Sequence, residues 1–307
     1  LVVAPRVDPG LPTYVPGVQV ESVLESIGAD SLTDVFDEWQ DAFRALQPRV
    51  KYKVVQTLST IAVKALIEQG VPMIHLVREM SQEEMQAFER KFGYPPTKVV
   101  VCFDAFIVFV NAANPIREIS MEQLDAIYST TRNAGFRKDA PMDTWGDVGA
   151  RGTWAKRPIH AYMRAEGTAA RATLRDQLLQ KGKYRPEVMD SPDWPGISEK
   201  VMTDAQGIGI STLSNWFSRN KTLPVMPLQT TEAVSPTQEN VVSGKYPLAR
   251  TYYFYVNRAP GKALSPEVWE FLQFVLSQQG QTAVTQASLY PLPADLAALY
   301  RRRLRSN

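Results

Sequence analysis

The chain has 307 residues, 44% hydrophobic and 21% charged, with 34 Lys and Arg against 32 Asp and Glu. That length supports two domains or one large α/β unit, and a formal net charge of +2 supplies no field that would select nucleic acid or an acidic surface. One cysteine and two histidines exclude a disulfide framework and a cysteine-rich metal site, and leave little material for a histidine-based zinc or triad site.

Residues 1–20 carry four prolines and two glycines without periodicity and read as an arm, either laid over the fold or loosely tethered. A start at Leu1 rather than Met suits a processed mature form from which a signal peptide is gone. Val23 to Ile27 reads as a strand. Gly28 then allows a tight turn, Asp30 or Ser31 can cap, and Leu32, Val35, Phe36, Trp39 and Phe43 recur at helical spacing as a core-facing stripe. Lys51 to Val55 is a second strand, leading to a helix that starts at Ser59 or Thr60 and stops at Gly70. Val71 to Val77 is strand-like, although Pro72 argues against a central position at that point. Ser81 with Glu84 makes a capping box for a helix reaching Phe92.

Val99 to Val110 is the longest apolar run. Asp104 interrupts it, and it falls short of a bilayer span; a strand crossing between two lobes fits it, with Cys102 as a buried small hydrophobe. Ser120 and Gln123 open another capped helix, to about Tyr128. Residues 130–156 form a loop-rich excursion in which Asp139, Asp143 and Asp147 read as turn formers beside Trp145 and Gly146.

Arg157 to Leu179 holds the most informative pattern. Pro158 to Met163 is a strand, Arg164 to Thr168 a turn, and a helix follows with Thr168 as its N-cap. A strand, a small-residue turn and a helix N-terminus make an anion site, because unpaired N–H groups and the positive helix end point into it. Arg164 at the strand's end offers a fork for an oxyanion. An ordinary capped turn gives the same pattern, and Glu166 puts a carboxylate within it. His160 stands in the preceding strand; it and His75 read as packed core or strand-end residues.

Gly182 to Gly196 is turn-rich, 197–203 holds one or two helical turns, and 207–211 and 223–226 are short strands. Tyr246 to Asn257 is dense in β-formers and matches the Val99 strand as a second crossover. Ser265 to Gly280 and Pro293 to Arg302 are helices. The basic tail, Arg301, Arg302, Arg303 and Arg305, reads as a solvated or disordered end, with a membrane or protein contact as the alternative. Three strand-to-helix turns therefore carry hydroxyls, and in open α/β sheets ligands sit beyond the carboxyl ends of strands.

Several stretches, in order, carry a family pattern: LPTYVPG, SIGADSLTDVFDEW, TLSTIAVKALIEQG, FERKFGYPPTKVVVCFDAFIVFVNAANPI, LDAIYSTTR, TWGDVG, YPLARTYYFYVN and FVLSQQGQTAV…YPLP. As a set they resemble the phosphate-type periplasmic substrate-binding proteins of bacterial ABC importers. The resemblance spans nearly the whole chain. It implies a type II periplasmic-binding fold: two α/β lobes, each a mixed sheet flanked by helices, joined by two crossover strands. The lobes are expected at 1–108 with 256–307, the arm being 1–20, and at 109–255.

Carried over residue by residue, the resemblance implies an anion held in the cleft between the lobes by Ser31, Leu32, Ser59, Thr60, Arg164, Gly167 and Thr168. Three departures alter that pocket: Pro72 where the family's proton-accepting Asp aligns, Val77 in place of a serine before the retained Arg78, and Glu166 in place of the serine before Gly-Thr. A carboxylate a few ångströms from a bound phosphate costs on the order of several kcal/mol in a dry site. One charge-assisted hydrogen bond returns only about 1.5–3 kcal/mol.

Two functions stay open on these residues. One is an extracytoplasmic substrate-binding protein for phosphate or a similar oxyanion, delivering to an importer. The other is a degenerate family member that no longer binds phosphate and serves as a partner-binding or scaffold subunit of an extracytoplasmic complex, with importer or membrane-complex proteins as partners and with Glu166 pairing with Arg164 and filling the pocket from within. The pocket's altered residues lean toward the second, and the family pattern as a whole carries the first. Either places the chain in the periplasm or outside the cell, without a transmembrane segment, cofactor, metal or nucleic-acid partner. No triad order or paired-acid spacing supports an enzyme.

Overall fold

Alternating strand and helix signals become a mixed α/β structure in the computed structural model of the chain, which describes residues 4–135, 142–215 and 219–305. In chain order the elements are β1 (Val23–Ala29), α1 (Thr33–Leu46), β2 (Lys51–Thr57), α2 (Ser59–Lys64), β3 (Met73–Leu76), α3 (Gln82–Phe92), β4 (Thr97–Val110), β5 (Ile119–Ser120) and α4 (Met121–Tyr128). There follow β6 (His160–Arg164), α5 (Ala169–Gln177), β7 (Met189–Ser191), α6 (Trp194–Thr203), β8 (Gly207–Thr212), β9 (Lys221–Thr222), β10 (Val225–Met226) and α7 (Gln238–Val242). The last are β11 (Ala249–Val256), α8 (Pro266–Val275), α9 (Gln278–Gln286) and α10 (Ala294–Arg305). The chain divides into two compact units, 105–249 and 4–104 with 250–307, and passes between them twice, within β4 and at the start of β11.

In the unit formed by 4–104 and 250–307, strands run in the order β2-β1-β3-β11-β4. β1 is parallel to β2 and to β3, and β11 is antiparallel to β3. The aromatic stripe read from the sequence is core: Phe36, Trp39 and Phe43 are fully buried and meet Phe254 and Phe271 at 5.4–6.3 Å between ring centres. Trp39 donates its indole N–H to the Gly280 carbonyl at 2.8 Å, so the one polar atom of that side chain is satisfied.

Polar groups inside this unit are buried against one another. Asp104 accepts from Arg250 at 2.9 Å and from the Tyr252 hydroxyl at 2.8 Å, with all three side chains buried. His75 meets Ser26 Oγ at 2.8 Å and Gln56 Oε1 at 3.1 Å, and burial depresses its pKa to about 3, holding it neutral. Gly28 is required beside it, since a Cβ there would lie 1.9 Å from the His75 carbonyl. The arm is laid over the fold. Tyr14 exchanges hydrogen bonds with Gln279 through its backbone N–H and carbonyl, and donates its hydroxyl to buried Glu270 at 2.7 Å. Gln47 donates to the Tyr14 hydroxyl and the Val18 carbonyl and accepts from the Val20 N–H.

In the unit 105–249, β4 pairs antiparallel with β8 and β9, β8 is parallel to β6, and β6 is parallel to β7. β5 and β10 form a separate two-stranded parallel sheet. Tyr128 and Trp145 are fully buried; Tyr128 donates to the Tyr162 and Ile208 carbonyls and Trp145 to the Gln206 carbonyl. Both capping boxes, Ser81 with Glu84 and Ser120 with Gln123, form as the sequence predicts.

Five expectations need correction. α1 is preceded by a 3₁₀ turn, Asp30–Leu32, so neither Asp30 nor Ser31 caps it and no side chain does. β3 lies inside the sheet between β1 and β11; Pro72 is tolerated because it stands just before the strand, where only its carbonyl is used, accepting from Asn257 N–H at 3.1 Å. α6 starts at Trp194, well before 197, because Asp193 caps it and Pro195 falls in the first turn, where no N–H is needed. The helix expected over 265–280 is two, broken where Ser277 accepts from Gly280 N–H and caps α9. The arginine tail is solvated, with Arg302, Arg303 and Arg305 exposed, and is helical where disorder was the other expectation. It continues α10 to Arg305, with Leu304 buried beneath and its carbonyl bonded by Arg258.

Candidate functional site

β6 ends beside β7, with Arg164 paired in register to Ser191, and Ala165 N–H donates to the Ser191 carbonyl at 3.0 Å. The chain then turns through Gly167 at φ 83°, a left-handed position that glycine occupies without a Cβ penalty. Thr168 caps α5: its hydroxyl accepts from Arg171 N–H at 3.3 Å and donates to the Ala165 carbonyl at 2.9 Å. One side chain thus ties both limbs of the corner, and the positive end of α5 faces it.

Arg164 is aimed from the far side of this corner. Its Nη1 donates to the Pro192 carbonyl, and its guanidinium lies 5.4 Å from the centre of the Trp194 ring. Its Nε is buried without a partner. Beneath it, buried Arg171 donates to the Arg164 carbonyl at 2.9 Å and to Asp190. Glu166 is exposed; its N–H donates to Asp190 at 3.3 Å, and its carboxylate forms no ion pair with Arg164 among the described residues. Filling of the pocket by a Glu166–Arg164 pair, on which the degenerate reading leaned, is not what the side chains do.

In the other unit, the register Ala29↔Thr57 sets the ends of β1 and β2 side by side. Ser31 is exposed in the 3₁₀ turn with a long 3.4 Å contact to Asp30, while Leu32 is fully buried. Ser59 opens α2, which has no side-chain cap, and its Oγ is buried without a partner; Thr60 is exposed. Val77 follows β3 at the same edge, and Arg78 beside it is committed to Glu84 through two 2.7 Å bonds, which raise its pKa. Pro72 is not at this edge. It stands at the opposite end of β3 and lines a separate pocket of about 340 Å³ with Tyr94, Asn257 and Arg258, so its side chain does not alter the Ser31–Ser59 corner.

Sequence reasoning missed Arg171, Asp190, Ser191 and the Pro192 carbonyl. Asp190, Ser191 and Pro192 reach the β6 corner through pairing with β7, a three-residue strand too short to show a period, and Arg171 reaches it from the first turn of α5. His160 lies at the start of β6, away from this corner, bonded to Asp204 at 2.6 Å; the Tyr162 hydroxyl bonds the same carboxylate at 2.8 Å. Burial alone would raise the Asp204 pKa, and the Gln206 N–H, His160 and Tyr162 reverse this, so it is lowered. Asp147 is a turn former, accepting from Thr144 N–H at 2.9 Å, and Asp143 pairs with Arg185 at 2.6 Å; Asp139 lies outside the described residues. Among the described residues no group of three His, Cys, Asp or Glu side chains is placed to hold a metal ion. No helix among them is long and apolar enough to cross a membrane.

The family described as "PBP superfamily domain" matches residues 19–279. The chain belongs to that superfamily. Within it, this PBP chain is 36% identical over 291 residues to the phosphate-binding protein PstS of Pseudomonas aeruginosa, covering 95% of this chain and 90% of that one. It is 27% identical over 233 residues to protein SphX of Synechococcus elongatus, covering 75% and 66%. The phosphate-type recognition made from the sequence therefore holds. The same fold recurs in a possible phosphate-binding protein of Planctomyces limnophilus (TM-score 0.72, 20% identity, 95% of this chain and 98% of that chain). It recurs also in an ABC-type phosphate transport receptor of Vibrio cholerae (TM-score 0.70, 16% identity, 88% and 100%).

Proposed function

We propose that this PBP-superfamily chain is the substrate-binding protein of a phosphate-type ABC importer, holding phosphate or a similar tetrahedral oxyanion outside the cytoplasm. The observation that carries the reading is the β6–α5 corner. A buried arginine Nε without a partner, a left-handed glycine and a threonine-capped helix start follow one another in that turn, on a chain 36% identical to a phosphate-binding protein. Each unit carries its own candidate groups: Arg164, Gly167 and Thr168 in one, and Ser31, Leu32, Ser59 and Thr60 in the other. Pocket departures reduce to Val77 and Glu166, and Glu166 is free to stand in water, where its repulsion is screened.

Capture by hydrogen bonds alone assigns the chain no reaction. The membrane subunits of an importer are the partners implied, and the periplasm or cell exterior is the compartment. Isothermal titration with phosphate tests the reading: heat with a single-site isotherm is expected, and a flat titration at millimolar phosphate would reject it.

A further inference from the structure

We infer that the β6–α5 corner opens into a basic groove that accepts an anion longer than orthophosphate, a chain of linked phosphoryl groups. The inference rests on the reading of the Thr168 corner as a phosphoryl site and extends it to the class of ligand taken. The groove holds about 840 Å³, inside the range of small-molecule sites and far beyond what one phosphate fills. One wall is the flank of α5. From Thr168 to Arg175 that flank runs for about 10 Å at the helical rise of 1.5 Å per residue.

The opposite wall arises from how α5 ends. Lys181 N–H reaches back to the Arg175 carbonyl at 3.0 Å, and Gln180 and Lys181 take left-handed φ values of 46° and 62°. This is the closing turn of a helix, in which glycine or asparagine is usual; here the positions are spent on longer side chains, one of them cationic. Gly182 follows against Thr131, where a Cβ would come within 2.2 Å of its Oγ1. Lys183 exchanges bonds with Thr130 and Thr131. The reversal lays Lys181 and Lys183 along the groove that Arg171 and Arg175 line.

The charges divide into two kinds. Arg171 is compensated by Asp190 and Arg185 by Asp143 and Glu187, and Arg171 also lies 4.3 Å over the Tyr184 ring. Arg175 is exposed, with a long 3.5 Å contact to Asp176. Lys181 and Lys183 are exposed and meet no carboxylate among the described residues. Of the two carboxylates that line the groove, Asp190 is taken by Arg171 and Glu166 stands at the Gly167 end. A phosphoryl chain that starts at Thr168 passes Glu166 at one end and gains both lysines further along. An orthophosphate at Thr168 meets the first and not the second.

Titration of the full chain with inorganic tripolyphosphate, orthophosphate and citrate tests this. Tripolyphosphate is expected to bind about tenfold more tightly than orthophosphate, through two added exposed charge contacts, and more tightly than citrate. The double variant Lys181→Ser, Lys183→Ser is expected to lose that advantage while orthophosphate affinity stays within about twofold; added NaCl should weaken tripolyphosphate binding more steeply than orthophosphate binding. Tripolyphosphate no tighter than orthophosphate, an unaffected double variant, or citrate bound equally well would each overturn the inference. Orthophosphate bound without tripolyphosphate strikes the groove alone. Tripolyphosphate held through the lysines with no orthophosphate binding strikes the proposed function and leaves the groove standing.

Discussion

The two units differ in where they place their most buried titratable groups. The unit of 4–104 and 250–307 buries titratable groups against polar partners: Asp104 with Arg250 and Tyr252, His75 with Ser26 and Gln56, Glu270 with Tyr14. The unit 105–249 keeps its titratable pairs near the surface, as in His160–Asp204 and Arg185–Asp143, and leaves Arg164 Nε unpaired at a strand end. A buried set whose members bond one another restricts how its elements pack. A rim group left unsatisfied is available for a ligand. The difference sets a buried ion pair in one unit against more exposed pairs in the other.

The sharpest break of this contrast is Arg250→Leu. It strands the buried Asp104 carboxylate, and a loss of about 3–5 kcal/mol is expected from removing one partner of a buried pair, read by urea unfolding. The matching change in the other unit, Arg185→Leu, removes more exposed pairs and should cost about 1 kcal/mol or less. Equal losses would end the contrast. Next in size, Arg164→Ala should weaken phosphate binding by about 1.5–3 kcal/mol with a smaller effect on unfolding, measured by titration and by urea together.

His75 gives a pH test. Its folded pKa, about 3, lies below the unfolded value of about 6.5, so below pH 6.5 the unfolded chain takes up a proton that the folded chain refuses. Stability therefore falls as pH falls, by about 1.4 kcal/mol per unit. Between pH 6.5 and 5 about 2 kcal/mol should be lost, and His75→Gln should flatten that slope. Asp204, whose folded pKa is lowered, acts at lower pH: its contribution is present above the usual carboxylate range and fades as pH drops through the depressed value. The smallest effects belong to the caps and rims. Thr168→Ala should cost about 1 kcal/mol of stability, and Ser59→Ala, which deletes a buried hydroxyl without a partner, about 0.5 kcal/mol or less. Glu166→Gln should strengthen phosphate binding, most visibly at low ionic strength, in the same titration.

Much of this was legible in residues. Ser81–Glu84, Ser120–Gln123 and Thr168 announce their helices because capping is local chemistry. The stripe Phe36, Trp39, Phe43 and the run Val99 to Val110 announce burial. What failed depends on distant partners. Nothing near Arg164 says that Pro192 and Trp194 will orient it. Nothing near Pro72 says that its carbonyl alone will be used at the mouth of an interior strand. The break at Ser277 is hidden because apolar residues continue across it, and Gly280 is explained by the backbone of Phe274 and Val275, whose nearest atom, the Phe274 carbonyl oxygen, would lie 2.2 Å from a Cβ. Asp104 gave a signal that was readable and underused: a carboxylate within the apolar run Val99 to Val110 requires a cation, and the other crossover strand carries Arg250.

Cys102 lies two residues before that carboxylate, in the same strand. It is the sole thiol, fully buried, and burial raises its pKa well above the usual value. A thiol that is both inaccessible and protonated does not react with alkylating reagents. Its modification rate in the unaltered protein therefore clocks how often the crossover strand is laid open, and a fluorophore attached to a cysteine introduced elsewhere would carry no background from it.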